Sequence, residues 1–193
     1  MNSNAELIDA LEPVAKAFNA IGVDYYVGGS VASSYHGAAR STMDVDLIAN
    51  LKATQVDSFV DQLEKKFYVS KTAIVDAISR KSCFNLIYLP TSFKVDIFIL
   101  KDRPFDATAM SRSALGKIDP NRDSEFPIAS AEDSILSKLE WYRLGDETSQ
   151  RQWDDVVRMM KILGKNVDLG YLKDNASELN VADLLDKLLK SAS

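Results

Sequence analysis

The chain has 193 residues, a net charge of −5 at pH 7, 46% hydrophobic residues and 26% charged residues. That is the composition of a globular protein long enough to bury a core, as one domain or one domain with a small appendage. A pI near 5.0 argues against a broadly basic nucleic-acid surface, leaving at most a local groove, and no apolar run approaches membrane-spanning length. Cys83, the single cysteine, excludes an internal disulfide and a cysteine-based metal cluster. The first residues, MNSNAELIDA, lack the basic and apolar regions of a signal peptide, and a reducing, cytoplasmic location is expected.

In chain order, Leu7, Ile8, Leu11, Val14, Ala15 and Phe18 recur at helical spacing, which predicts a helix over Asn4 to Ile21 that Pro13 either starts near Glu12 or kinks. Val23 to Val27 reads as a strand, Ser30 to Tyr35 as a short helix leaving a glycine turn, and Met43 to Ala49 as a second strand. Ala53 to Phe67 is predicted helical, as is Lys71 to Arg80. Ser82 to Leu89 and Ser92 to Leu100 read as a hairpin turning at Pro90-Thr91. Phe105 to Ser113 reads as helix, and Leu115 to Ile128 as a two-stranded excursion around Asp119-Pro120-Asn121-Arg122. From Ser130 onward the pattern is wholly helical. Ser130 is a good N-cap with Asp133 three residues on, an acidic variant of the capping box. Helices are expected over Ala131–Leu144, Ser149–Leu163, Leu169–Leu179 and Val181–Lys190, which places a boundary between residues 1–129 and 130–193.

The chemistry concentrates in Tyr25 to Asn50. Val27 leads into Gly28-Gly29-Ser30, a turn whose backbone N–H groups at a helix start suit phosphate. Asp44 and Asp46 are two apart on a strand, so they share a face about 7 Å from one another. Hard oxygen ligands paired in this way suit Mg²⁺ or Mn²⁺. Asp96 lies among Val95, Ile97 and Phe98, where an unpartnered charge is costly. If its strand lies beside that of Asp44 and Asp46, three carboxylates converge as two-metal phosphoryl transfer requires.

Each residue also has a plainer reading. The glycines are a turn, Asp44 and Asp46 are solvated residues of an edge strand, and Asp96 pairs with Lys94 on its own face. His36 packs at a helix end near Gly37 rather than serving as a base. Trp141, Tyr142 and Trp153 read as core rather than as a stacking platform, and Cys83 as an inert residue starting a buried strand.

Gly28-Gly29-Ser30, Asp44-Val45-Asp46 and Asp96 together resemble the nucleotidyltransferase superfamily with a polymerase-beta-like palm. Arg40-Ser41-Thr42, Phe93-Lys94-Val95-Asp96, the segment Ala131 to Tyr142 and Arg151-Gln152-Trp153-Asp154-Asp155 make the chain similar to the AbiEii/AbiGii abortive-infection toxin branch. The resemblance implies an α+β fold, with a mixed sheet flanked by helices and a C-terminal helical bundle. It also implies transfer of a nucleoside monophosphate from an NTP to an acceptor, dependent on Mg²⁺ or Mn²⁺. Carried over, Asp44, Asp46 and Asp96 would bind metal, and Asp96 would help deprotonate the acceptor. Gly28, Gly29 and Ser30 would hold the triphosphate. Lys138 would neutralise phosphate charge, Asp155 would orient it or line the cleft, and Arg40 would reach a phosphate or brace its loop. The acceptor stays open between a small molecule, a protein side chain and an RNA end such as the tRNA 3′ end, which the pI disfavours. A toxin would come with an antitoxin partner. The competing expectation is a catalytically silent nucleotide-binding or protein-interaction module on the same fold.

Overall fold

The computed structural model describes residues 3–39 and 41–192. Its first helix, α1 (Ser3–Ala20), contains Pro13 in its interior instead of starting near Glu12. Proline in a helix interior costs about 3 kcal/mol. Here Leu7, Ile8 and Leu11 before it, and Val14 and Phe18 after it, are all buried, and roughly 1.5–3 kcal/mol for each such side chain outweighs that cost. Gly22, at φ +67°, ends the helix turn, and β1 (Tyr25–Val27), α2 (Gly29–Tyr35) and β2 (Asp44–Ala49) follow.

The helix expected over Ala53 to Phe67 is shorter. A 3₁₀ turn, Ala53–Gln55, leads into α3 (Val56–Leu63), and Phe67 belongs to a two-residue strand, β3 (Phe67–Tyr68). Tertiary pairing decides this. Phe67 and Tyr68 pair antiparallel with Tyr88 and Ile87, and the Phe67 ring lies 5.1 Å from that of Tyr88. Next come α4 (Lys71–Arg80), the hairpin strands β4 (Cys83–Tyr88) and β5 (Phe93–Ile99), and α5 (Pro104–Arg112). The two-stranded excursion is β6 (Ala114–Gly116) and β7 (Phe126–Ile128).

The seven strands form one mixed sheet in the order β3-β4-β5-β2-β1-β7-β6. Its pairings are antiparallel except β2 with β5 and β1 with β7. In the central strands burial alternates strictly. Val45, Leu47 and Ala49 of β2 are buried, as are Val95, Ile97 and Ile99 of β5 and Phe84 and Leu86 of β4. This face packs against α1 and α4, while Phe59 of α3 stacks on Phe18 of α1 at 4.8 Å. The opposite face, with Asp44, Asp46 and Ile48 beside Lys94, Asp96 and Phe98, is only half-buried. A strand with one apolar and one polar face leaves the polar one toward water or a ligand.

The chain then turns all-helical in α6 (Ala131–Leu144), α7 (Gln150–Leu163), α8 (Leu169–Glu178) and α9 (Ala182–Ala192). The Ser130 hydroxyl caps α6 by accepting from the Asp133 N–H at 3.1 Å. The Asp133 carboxylate accepts from the Ser130 hydroxyl at 2.6 Å and also takes the Tyr171 hydroxyl at 2.6 Å and Arg112 at 3.3 Å, tying α5 and α8 to the start of α6. The buried stripe of α6, Ile135, Leu136, Leu139 and Tyr142, packs with the neighbouring helices. None of the described helices is long and apolar enough to cross a membrane.

Candidate active site

The half-buried sheet face forms one wall of a cleft of about 410 Å³, and α6 and the start of α7 form the other. Sequence dictates what each wall offers. On β2, i and i+2 spacing sends Asp44, Asp46 and Ile48 into the cleft. On α6, Ser134, Ser137, Lys138 and Trp141 line the cleft, a spacing of three and four residues that puts them on one helix face.

Gly28 hands the chain from β1 into α2. Its N–H donates to the Asp46 carbonyl at 2.9 Å, and Gly29 follows in the left-handed region at φ +55°. A Cβ at Gly29 would overlap the Asp46 carboxylate. Glycine there answers both demands: it takes the turn without strain and lets the backbone close on Asp46. Ser33 returns a hydrogen bond to the Gly29 carbonyl at 2.9 Å, holding the turn. Ser30 is buried and lines the cleft beside both glycines.

Parallel pairing of β2 and β5 sets Asp46 opposite Asp96 and Asp44 opposite Lys94. The three aspartates therefore share a face, as the expected strand neighbourhood requires. Thr42 donates to Asp44 at 2.7 Å. Lys94 Nζ lies 2.6 Å from Asp96 Oδ2 and 3.9 Å from Asp44 Oδ2, so the plainer reading of Asp96 as a lysine's partner is also present. Burial, then the neighbouring Asp44 and Asp96, push the Asp46 carboxyl up to about 6, against the pull of Lys138 and Lys94. A carboxylate desolvated beside two others is one that a cation would relieve. Among the described residues no three His, Cys, Asp or Glu side chains are already gathered as a cation cage. The donor set fits a hard divalent ion in chemistry, with Asp44 and Asp46 open to the cleft and Asp96 held under Lys94.

Lys138 and Asp155 are brought together from α6 and α7. Nζ donates to Asp155 Oδ2 at 2.9 Å, with both side chains buried. Lys138 lines the cleft and Asp155 is its support. Arg40 lies outside the described residues.

Several cleft residues escaped the sequence reading. Trp141, expected in the core, is 47% exposed and meets Phe98 edge-on at 5.6 Å. Tyr142 is buried as expected, its ring 5.5 Å from that of Trp153. Phe98 was legible as the next same-face residue after Lys94 and Asp96. Lys101, Arg103, Glu140, Arg151 and Gln152 also line the cleft. Arg103 forks between Asp106 and Glu140, with close contacts of 2.5 Å to each, a pairing that no local pattern announces.

His36 donates a ring N–H to the Ala129 carbonyl at 2.7 Å, bracing α2 against the β7–α6 junction. Cys83 is exposed rather than starting a buried strand. The outer neighbour of β4 is only two residues long and pairs at Ile87 and Tyr88, leaving Cys83 uncovered. The side chain is open to solvent, yet partial desolvation of its sulfur, followed by the nearby Asp96 and Asp46, pushes the thiol up to about 12, which keeps it protonated.

No protein-family model matches the sequence, and the curated proteins contain no match. Solved structures do. The antibiotic-resistance factor ANT(2'')-Ia superposes with a TM-score of 0.58 at 12% identity, covering 95% of this chain and 97% of the other. An antigenic nucleotidyltransferase-like protein from Paracoccidioides brasiliensis superposes with a TM-score of 0.54 at 16% identity, covering 96% and 91%. The fold is that of a nucleotidyltransferase. In this nucleotidyltransferase fold the cleft lies between the sheet's polar face and the α6–α7 wall.

Proposed function

We propose that the protein is a nucleotidyltransferase that moves a nucleoside monophosphate from an NTP to an acceptor hydroxyl with the help of Mg²⁺ or Mn²⁺. The observation that carries this reading is the convergence of Asp44, Asp46 and Asp96 on the polar face of two parallel strands, with Asp46 pressed against Gly29.

In this reading Asp44 and Asp46 hold the divalent ion, joined by Asp96 when it leaves Lys94. The ion's contribution when bound is to neutralise charge on the triphosphate and on the leaving pyrophosphate. Gly28, Gly29 and Ser30 present backbone and hydroxyl donors to the phosphates. Lys138, fixed by Asp155, adds positive charge on the opposite wall, and Arg40 precedes the same strand. Asp96 takes the acceptor's proton. The acceptor oxygen bonds to the α-phosphorus as the bond from that phosphorus to the bridging oxygen breaks, and pyrophosphate leaves. Such chemistry is mostly positioning and charge neutralisation.

The boundary at residue 130 belongs to this proposal, with residues 1–129 as catalytic domain and 130–193 as helical domain. A small-molecule acceptor is supported by the structural likeness to an antibiotic-resistance factor. An AbiEii-like toxin acting on a protein or on an RNA end, held by an antitoxin, is supported by the motif resemblance. One observation favours the silent-module reading, the Lys94–Asp96 ion pair at 2.6 Å.

The deciding experiment is thermal unfolding with each of the four NTPs, with and without Mg²⁺, on wild type and Asp46→Asn, followed by pyrophosphate release for the NTP that binds. An NTP at 100 times its Kd stabilises by about 2.7 kcal/mol. A Mg²⁺-dependent shift that Asp46→Asn removes, with pyrophosphate released by wild type, is the expected result. A shift without release in the presence of candidate acceptors transfers the protein to the silent module, and no shift with any NTP removes the nucleotide site.

A further inference from the structure

The sheet face that carries the three aspartates carries its own cation. We propose that the Lys94 ammonium is a built-in counter-ion occupying one of two cation positions. The resting site then accepts one divalent ion, through Asp44 and Asp46, and accepts a second only when Lys94 swings away from Asp96. This rests on the metal-dependent reading above and adds a residue that sets metal stoichiometry.

The register makes the arrangement. Asp44 faces Lys94 across the parallel pair and Asp46 faces Asp96, so three carboxylates and one ammonium form a four-cornered patch. Neighbouring strands lie about 4.8 Å apart and same-face residues about 7 Å apart along a strand, a spacing that one ammonium spans. Lys94 Nζ does span it, 2.6 Å from Asp96 Oδ2 and 3.9 Å from Asp44 Oδ2. Its ammonium therefore links a carboxylate of β2 to one of β5. Asp46 lines the cleft with Asp44, and these two would take the first ion.

The charges agree with this. Three carboxylates less one ammonium leave two negative charges, which one divalent ion balances. A second divalent ion would bring the patch to two positive charges with the ammonium retained and to one with it withdrawn, so binding of the second ion favours withdrawal of Lys94 from Asp96. Its route is open, because the Lys94 side chain is 41% exposed whereas that of Asp96 is 14% exposed. A flexible lysine with a single point charge can leave and return where a planar, forked arginine would grip its carboxylate.

The test is a Mn²⁺ titration of the nucleotide-free full chain, with unbound Mn²⁺ read by electron paramagnetic resonance. Wild type is expected to bind one Mn²⁺ tightly and a second at least tenfold more weakly. Lys94→Met, similar in length and uncharged, should bind the second at least tenfold more tightly than wild type does, with the first changed less than threefold. Lys94→Arg, whose fork grips Asp96 more firmly, should keep the second ion at least as weak as in wild type. Circular dichroism checks folding, and Lys94→Gln carries the same test if the methionine variant does not fold. Identical titrations of wild type and the uncharged variant would overturn the counter-ion role while leaving the metal site standing. No Mn²⁺ bound by either folded protein would overturn both this inference and the metal-dependent reading beneath it.

Discussion

Gly29 and Asp46 are in direct contact, so close that a methyl group on Gly29 would overlap the Asp46 carboxylate. The turn and the carboxylate are therefore one unit, and Gly29→Ala must disturb both. The left-handed φ of +55° adds about 1–2 kcal/mol of strain for a residue with a Cβ, and the overlap displaces Asp46. The expected outcome is a Tm lower by a few degrees and loss of any Mg²⁺-dependent NTP shift. A variant that keeps the full NTP shift would show that the contact is not part of the binding site.

Asp46 should make the metal-free protein pH-sensitive. Its folded pKa is raised to about 6 from 3.8, by burial first and then by Asp44 and Asp96. A carboxyl whose folded pKa is raised holds its proton more tightly in the folded state, so stability is greatest below the unfolded pKa and falls as pH rises through the folded one. The window is pH 4 to 6, and the loss is on the order of 2–3 kcal/mol. Chemical denaturation in EDTA across this range should show it, and Asp46→Asn should flatten the slope. A wild-type slope equal to that of Asp46→Asn would mean that Asp46 ionises freely.

The buried pair Lys138–Asp155, with side chains 9% and 4% exposed, predicts an asymmetric response. Removing either partner leaves a buried charge and costs about 3–5 kcal/mol, roughly 10 °C in Tm for a chain of this size. Replacing both, as Lys138→Met with Asp155→Leu, should recover most of the stability but not the NTP affinity. Full NTP binding by the double variant would demote Lys138 to a structural role.

Arg103 joins the start of α5 to α6 through Asp106 and Glu140. Lysine keeps the charge but loses the fork, so Arg103→Lys should destabilise by roughly 1–2 kcal/mol. Glu140→Gln added to it should cost less than Glu140→Gln alone, because the fork is already lost and Lys101, at 3.8 Å, is the partner that remains. Fully additive losses in the double-mutant cycle would show that the two residues act independently.

Much of this protein was written locally. The alternation of β2 and β5, the helical stripes, the Ser130 cap and the glycine turn all come from interactions within a few residues, so hydrophobic period and turn chemistry expose them. One element escaped, and the start of another was resolved, for an instructive reason. β3 exists only because Phe67 and Tyr68 find Tyr88 and Ile87, and the expected first helix continues on both sides of Pro13 because both flanks are buried. In each, non-local contacts outweigh the local signal.

The sequence alone determined which side chains share a face, because backbone geometry sets that at a spacing of two or of three to four. Asp44 with Asp46, Lys94 with Asp96, and Lys138 with Trp141 follow from it. Only the tertiary structure decided which faces meet. It chose β5 as the parallel neighbour of β2, in the register that opposes Asp46 to Asp96 and Asp44 to Lys94. It also set Asp155 behind Lys138 and turned Trp141 from the core to Phe98. Those choices belong to packing and to pairing between distant segments, where the partner of a charge is selected by the whole fold and leaves no trace in its neighbours along the chain.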